Sequence, residues 1–424
     1  MHSAVARNQQ QGPDEALPLR RYSPLLSYPK SLPTVLHIDT ERGWRGGERQ
    51  VLWLTESLVR TGNECVIAAR PGQPLALRAA ELGLRVLPCS PRWEFDPVAA
   101  SKLKRFIRRE RIQIVHAHTA HAASIALLCA RDAQTVITRR VDFQVGRDWI
   151  SQLKYRRAAA IIAISEAVAR ALAASGVDSN QIEIIPSGVD LTRSVQRADN
   201  RTLRLLGIPD NAPLVVMVAA LVQHKDPVTF IRAMKHVVDD VPNAHAIIVG
   251  DGPLRAIVEH AIAELALENR VHLAGFRSDA ETILAAADVV ALSSREEGLG
   301  TVLIDALWMG KPIAATRAGG IPEIVQDGSC GLLAPAEDAL ALGAAISRLL
   351  VDDALRSRFS AAGRVRAPMF SVERTASRTA LVYDRVIAAA RQRSEAASQP
   401  RHFPGIAPVR PVPRSLSHLM SFFS

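Results

Sequence analysis

From Thr34 to about Ala390, apolar runs of four to six residues alternate with longer stretches in which apolar residues recur every three or four positions. The first pattern suits strands buried on both faces, and the second suits amphipathic helices. Strands are predicted at Thr34–Ile38, Glu64–Ala69, Leu84–Leu87, Ile112–His116, Thr135–Thr138, Ala160–Ile164 and Ile182–Ile185. The alternation then restarts, with strands at Leu214–Val218, Ala246–Val249, Val271–Leu273 and Val289–Leu292. Helices are predicted between most of them, among them Glu48–Arg60, Leu75–Leu82, Pro227–Val238, Leu254–Leu265, Ala280–Ala287 and Thr301–Met309. Strands joined through helices need right-handed crossovers, so the pattern predicts an α/β chain with two doubly wound parallel sheets. Ligands of such sheets bind beyond the carboxyl ends of the strands, so candidate chemistry is sought there.

The break between the two series divides the body into 34–195 and 196–371, and a helix over about 372–390 follows. Residues 1–33 and 391–424 are rich in Pro, Ser, Gln or Arg without periodicity, and are expected to be disordered extensions. This changes the meaning of the +10 net charge on the 424 residues. The first extension holds four Lys or Arg against two acids, and the second five against one, so the ends carry more than half of it. The charge therefore does not argue for a nucleic-acid partner. No apolar h-region opens the chain and no run reaches membrane-spanning length. Cys65, Cys89, Cys129 and Cys330 are scattered and read as buried thiols of a reducing compartment, giving a cytoplasmic expectation.

Among the strand-end segments, Trp44-Arg45-Gly46-Gly47-Glu48 follows the first strand, and paired glycines let a backbone approach a phosphate closely. His116-Ala117-His118 closes another strand, and alternation places both rings on one side. No acidic or cysteine ligand clusters with them, so no metal site is expected. Arg139 and Arg140 follow the next strand; they suit phosphate or an acidic acceptor, or a pairing with Asp142. In the second half, Val289–Leu292 leads into Ser293-Ser294-Arg295-Glu296-Glu297, then Gly298 and Gly300 open the helix Thr301–Met309. Unpaired N–H groups at that helix start suit a phosphate. Glu297 and Asp305 are eight residues apart and can face one pocket. The helix Ser101–Arg111 sets Leu103, Phe106 and Ile107 against six Lys or Arg, which fits either a solvated face or contact with anionic lipid.

The run Ser294, Glu297, Gly298, Gly300, Asp305, Ala306, Gly310, Pro312 resembles the S-x-x-E-G-x-G-x4-E-A-x-x-x-G-x-P pattern of the retaining nucleotide-sugar glycosyltransferases called GT4. The resemblance covers roughly residues 34–390. It implies the GT-B fold: two Rossmann-like domains facing each other across a cleft, the first on the acceptor side and the second binding the nucleotide sugar. It further implies that Glu297 hydrogen-bonds the donor sugar and that Asp305 reaches the ribose. The N–H groups of Leu299, Gly300 and Thr301, with the Gly46–Gly47 segment, would hold the diphosphate. His118 matches a histidine that touches the donor sugar. Val218–Asp226 resembles the family's phosphate-binding segment, with Lys225 present as an anchor. Gly275-Phe276-Arg277 resembles the segment framing the nucleobase. Two positions depart from the pattern: Asp305 replaces a glutamate, and Ala220 stands where an arginine is usual. A GxGxxG fingerprint is absent, which disfavours a nicotinamide or flavin enzyme.

The expectation is a retaining transferase that takes a sugar from a nucleoside diphosphate, without metal or other cofactor. Glu297, His118 and Lys225 are its expected catalytic residues. The expected acceptor is a glycan or lipid-linked glycan of envelope polysaccharide. Contact with the inner face of an anionic membrane is a further expectation. The alternatives are a nucleotide-sugar epimerase of the same fold and a non-catalytic partner with a degenerate site.

Overall fold

A computed structural model describes residues 33–146, 148–193 and 200–398. The expectations for 1–32 and 399–424 lie outside those residues. The first sheet has seven strands: β1 (Val35–Ile38), β2 (Cys65–Ala69), β3 (Arg85–Pro88), β4 (Ile114–Ala117), β5 (Gln134–Arg139), β6 (Ala160–Ala163) and β7 (Ile182–Ile184). They lie in the order β3-β2-β1-β4-β5-β6-β7, every neighbour parallel. The second has six: β8 (Leu214–Val218), β9 (His245–Val249), β10 (Val271–Gly275), β11 (Val289–Leu292), β12 (Ile313–Thr316) and β13 (Gly331–Ala334). Their order is β10-β9-β8-β11-β12-β13, again all parallel. Two doubly wound sheets facing across a cleft are the GT-B architecture.

Helices cover both faces of each sheet, which is why central strands such as β1, β4, β6 and β9 are buried at every position. Helix starts are set by short polar side chains. The Thr119 hydroxyl accepts from Ala122 N–H, Ser165 from Val168 N–H, and Asp226 from Thr229 N–H. Gly310, in the left-handed region at φ 67°, ends the helix Thr301–Met309.

The last helix, Val372–Ser398, returns to the first domain. Ala376, Ala380, Tyr383 and Val386 pack against Leu54, Leu58, Ile114, Val136 and Ile162. The Tyr383 hydroxyl meets His116 Nδ1 at 2.6 Å in the floor of the first sheet. Where the chain crosses between domains it does so twice, side by side: Val189 N–H donates to Phe370 carbonyl at 2.9 Å, and Val372 N–H to Val189 at 3.0 Å.

Three features differ from the sequence expectation. The final helix continues past 390 to Ser398, so the first eight residues assigned to the tail are helical. The strands β12 and β13 were not anticipated, because IAAT and GLLA are short and carry no alternation. Gly46 and Gly47 form the first turn of the helix Gly46–Arg60 instead of a loop before it.

The Tyr383–His116 pair joins the last helix to the first sheet in a fully buried core. We expect Tyr383→Phe, which strands a buried ring nitrogen, to lower unfolding free energy by about 1–3 kcal/mol in urea titrations. An unchanged midpoint would show that apolar packing alone docks the helix.

Candidate active site

Strand order reverses between β1 and β4 in one sheet and between β8 and β11 in the other. The crevices at such points collect the chain segments that follow the flanking strands. Here those segments are Gly46–Gly47 after β1, His118 after β4, Lys225 after β8 and Glu297 after β11. Five sequence-predicted residues, on four segments, thus converge on the two switch points. The helix starts meet across the cleft, with Thr301 Oγ1 only 3.7 Å from where a Cβ on Gly46 would sit. The N–H groups of Leu299, Gly300 and Thr301 find no acceptor among the described residues.

Lys225 Nζ is ion-paired with Glu297, and Ser294 Oγ lies 3.3 Å from the same carboxylate. The lysine loop is pinned to the carboxylate loop: Ser293 Oγ donates to the carbonyls of Lys225 or Asp226, at 3.1 and 2.8 Å, and Arg295 pairs with Asp226 at 2.7 Å. Both ends of the Lys225–Glu297 pair therefore rest on one rigid unit. The first domain reaches this unit through Asp142, whose Oδ2 accepts from Glu297 N–H at 3.1 Å. Arg139 and Arg140 do not pair with Asp142, the bond that the sequence left open. Gly298 packs so closely on the Arg140 carbonyl that a Cβ would be driven into it.

Asp305 lies in the same cleft but is already engaged. Arg193 pairs with its Oδ1, Arg49 Nη2 approaches Oδ2 at 3.4 Å, and both arginines also bind Glu281, at 2.7 and 2.6 Å. Arg193 is sandwiched between Trp53 and Trp308, its guanidinium carbon 5.1 and 5.4 Å from the ring centroids. Burial raises the Asp305 carboxyl, and the charges of Arg49 and Arg193 oppose that shift. Sequence reasoning missed Arg49, Arg193, Glu281 and both tryptophans, because the signal is spatial. Phe276 is exposed at the end of β10, and Arg277 forms a two-point pair with Asp279 at 2.8 and 2.7 Å.

The three histidines of the first sheet, His37, His116 and His118, offer ring nitrogens within 4.8 Å of one another. Their partners do not suit a cation. His116 is bonded at both nitrogens, to Tyr383 and to Thr138 Oγ1 at 2.7 Å. His118 Nδ1 faces Arg140 Nη2 at 3.2 Å, and its Nε2 faces His37 Nδ1 at 3.0 Å. Because guanidinium can only donate, neutral His118 carries its proton on Nε2 and gives it to His37. His37 then carries its own proton on Nε2, a buried atom with no partner. His37 and His118 thus form a hydrogen-bond relay ending in the Arg140 cation, and His116 is held apart from it by Tyr383 and Thr138.

Comparison with known proteins agrees with this geometry. Residues 44–193 match the family described as Glycosyltransferase Family 4, and residues 200–366 match Glycosyl transferases group 1. The chain is a GT-B-fold glycosyltransferase related to these two families. The lipopolysaccharide core biosynthesis glycosyltransferase LpsE of Rhizobium meliloti is 26% identical over 330 residues, spanning 75% of this chain and 89% of that protein. LpsD of the same organism is 37% identical over 169 residues, 40% of this chain and 46% of its own length. The D-inositol 3-phosphate glycosyltransferase of Corynebacterium glutamicum is 32% identical over 222 residues, half of this chain and 53% of that one. The chain thus spans about half the length of the latter two relatives. Among solved structures, Anabaena HepE in complex with UDP and glucose shares the fold at TM-score 0.71 and 20% identity, covering 85% of this chain and all of that one.

The relay gives this glycosyltransferase a pH signature. Burial lowers the His37 pKa from 6.5 to about 3. Between those values the unfolded chain binds a proton that the native ring does not. The stability from neutral His37 is therefore present above pH 6.5 and lost as pH falls toward 3. We expect His37→Phe to reduce the slope of unfolding free energy against pH, between about pH 4.5 and 5.5, by roughly 1.4 kcal/mol per unit. Equal slopes in denaturant titrations of both proteins would contradict a neutral buried ring.

Proposed function

We propose that this glycosyltransferase moves a sugar from a nucleoside-diphosphate donor to a glycan or lipid-linked glycan of the cell envelope, with retention at the anomeric carbon. The observation that carries this reading is the pair of helix starts, at Gly46 and Thr301, brought together across the cleft, with Glu297, paired to Lys225, on the segment that leads into the second. Two positive dipole ends and a lysine form a site for a group of high negative charge. A diphosphate fits it, and Glu297 beside that site suits the hydroxyls of the sugar attached to it. The envelope acceptor is suggested by LpsE and LpsD, which are named for lipopolysaccharide core biosynthesis.

In the reaction, the bond from the anomeric carbon to the diphosphate oxygen breaks and its electron pair stays on the phosphate. The acceptor hydroxyl adds to the same face of the sugar, and its proton passes to the departing phosphate oxygen. Charge therefore grows on the phosphate, where Lys225, the N–H groups of Leu299, Gly300 and Thr301, and the Gly46–Gly47 turn lie. Glu297 orients the sugar through its hydroxyls. Asp305 meets the ribose by exchanging the longer of its contacts, the one to Arg49, for a ribose hydroxyl. Phe276 and Arg277 flank the base. Both ring nitrogens of His118 are committed, so His118 offers the sugar no free imidazole nitrogen and acts through the Arg140 it holds.

The basic helix, observed at Pro97–Arg109, supports contact with anionic lipid through Lys102 and Arg105, which stay exposed. Arg108 is turned instead to Asp132 at 2.6 Å. Vesicles containing anionic lipid should therefore bind the protein in a salt-sensitive way, and a Lys102→Gln, Arg105→Gln double variant should bind less. Undiminished binding would assign any membrane contact to other residues.

The test of function is transfer itself, measured as glycan product by mass spectrometry with nucleotide sugars and envelope-glycan acceptors. Glu297→Ala removes one charged hydrogen-bonding group and should cut kcat/KM roughly ten- to over a hundredfold, with the fold retained. Full turnover in that variant, or donor hydrolysis or epimerisation with no transfer by the wild type, would overturn the assignment.

A further inference from the structure

Arg140 is a cation without a carboxylate partner. Its Nη1 donates to Ser187 Oγ at 3.1 Å and its Nη2 to His118 Nδ1 at 3.2 Å, both neutral groups. Its Nε is shielded from solvent and bonded to nothing. Asp39 and Glu48 influence it from beyond ion-pair distance, and burial itself raises the Asp39 carboxyl to about 7. A guanidinium held out of water by neutral acceptors is unfavourable unless a ligand completes it. Arg140 as a whole is half-buried, in the segment that follows β5 at the cleft.

Its place in the fold says which ligand. Arg140 Cδ lies 3.9 Å from where a Cβ on Gly47 would sit, beside the helix start at Gly46. Its carbonyl packs on Gly298, just ahead of the helix start at Thr301. Arg140 therefore has its side chain beside the first helix start and its backbone beside the second, and it belongs to the domain opposite the one that carries Lys225. The other candidate cation, Arg139, is spent within its own loop on the carbonyls of Val141 and Phe143, at 3.2 and 2.8 Å, and on the Tyr155 hydroxyl at 3.2 Å. The second domain presents Ala220, which has no charge, after β8.

We propose that Arg140 is the second cation for the donor diphosphate, supplied by the first domain where the second domain has only Ala220. His118 and His37 are its positioning residues. The proposal rests on the donor-site reading above. His37 accepts from His118, which fixes the His118 tautomer with a bare Nδ1 toward the guanidinium, so the relay selects one rotamer of Arg140. Supplying a phosphate ligand from the first domain also couples diphosphate binding to the approach of the two domains.

The test is calorimetric titration of the full chain in chelator-treated buffer with UDP, GDP, uridine, guanosine and glycerol 1-phosphate. Wild type should bind one diphosphate more tightly than its nucleoside; binding of neither diphosphate would sink the donor-site reading and this proposal with it. Arg140→Gln should weaken that diphosphate roughly ten- to a hundredfold and leave the nucleoside unchanged. Ala220→Arg added to Arg140→Gln should recover at least part of the loss, which a merely structural role for Arg140 would not allow. His37→Phe, its fold checked by circular dichroism, should weaken the diphosphate several-fold while the nucleoside holds. Its histidine nitrogen spectra should also show His118 shifted from the single Nε2–H tautomer of wild type. If wild type binds a diphosphate and Arg140→Gln binds it equally well, the proposal fails and the donor site stands. Equal loss of nucleoside and diphosphate, loss confined to glycerol 1-phosphate, or no recovery with Ala220→Arg would each overturn it too.

Discussion

The constraint on which the cleft depends is electrostatic. Two helices, one from each domain, bring their first residues together, with Gly46 and Thr301 nearly in contact. Each start leaves N–H groups without intrahelical acceptors and carries a positive dipole end. Such ends repel unless negative charge sits between or beside them. The residues around them follow from that need. Glycines at 46, 47, 298 and 300 keep the backbone bare and close, while Glu297, Asp142 and Glu48 supply nearby negative charge from the protein itself. Lys225, paired with Glu297, and Arg140, held by Ser187 and His118, add cations from the second and the first domain.

Polar contacts also tie the two domains together beside this site. Glu323 of the second domain caps a helix of the first, accepting from Glu166 and Ala167 N–H at 2.8 and 3.1 Å. Asp142 returns the favour in the other direction, from the first domain to Glu297 N–H. Arg193, just after the crossover, bridges Trp53 and Trp308 while pairing with Asp305 and Glu281. Each contact is polar and replaceable by water or ligand, which suits a cleft that must open for substrate.

Much of this was legible in the sequence, and for physical reasons. Strands buried on both faces leave apolar runs, so eleven of the thirteen strands' positions and both sheets' parallel sense could be read from pattern. Glu297, Lys225, Gly46, Gly47 and the helix start at Thr301 were legible because each follows a strand directly, and doubly wound sheets bring strand ends together. The short strands IAAT and GLLA were not, since four residues without charge contrast carry too little periodicity. Nor were Arg49, Arg193 and Glu281, whose pairings span 88 to 256 residues of sequence. His37 reads as an ordinary core position in a strand of sequence VLHI; only the pairing of β1 with β4, which sets His37 opposite His116, reveals the relay. The Asp142 bond to Glu297 was likewise hidden, because local sequence offered it two nearer arginines.

Hydrogen–deuterium exchange on the wild-type chain, with and without a nucleoside diphosphate, bears most directly on the facing helix starts. If a diphosphate joins them, exchange should slow together in the peptides spanning 44–49 and 297–303, with half-saturation at one shared ligand concentration and no such effect from the nucleoside alone. Protection confined to one domain, or equal protection by the nucleoside, would contradict a diphosphate held between the two helices.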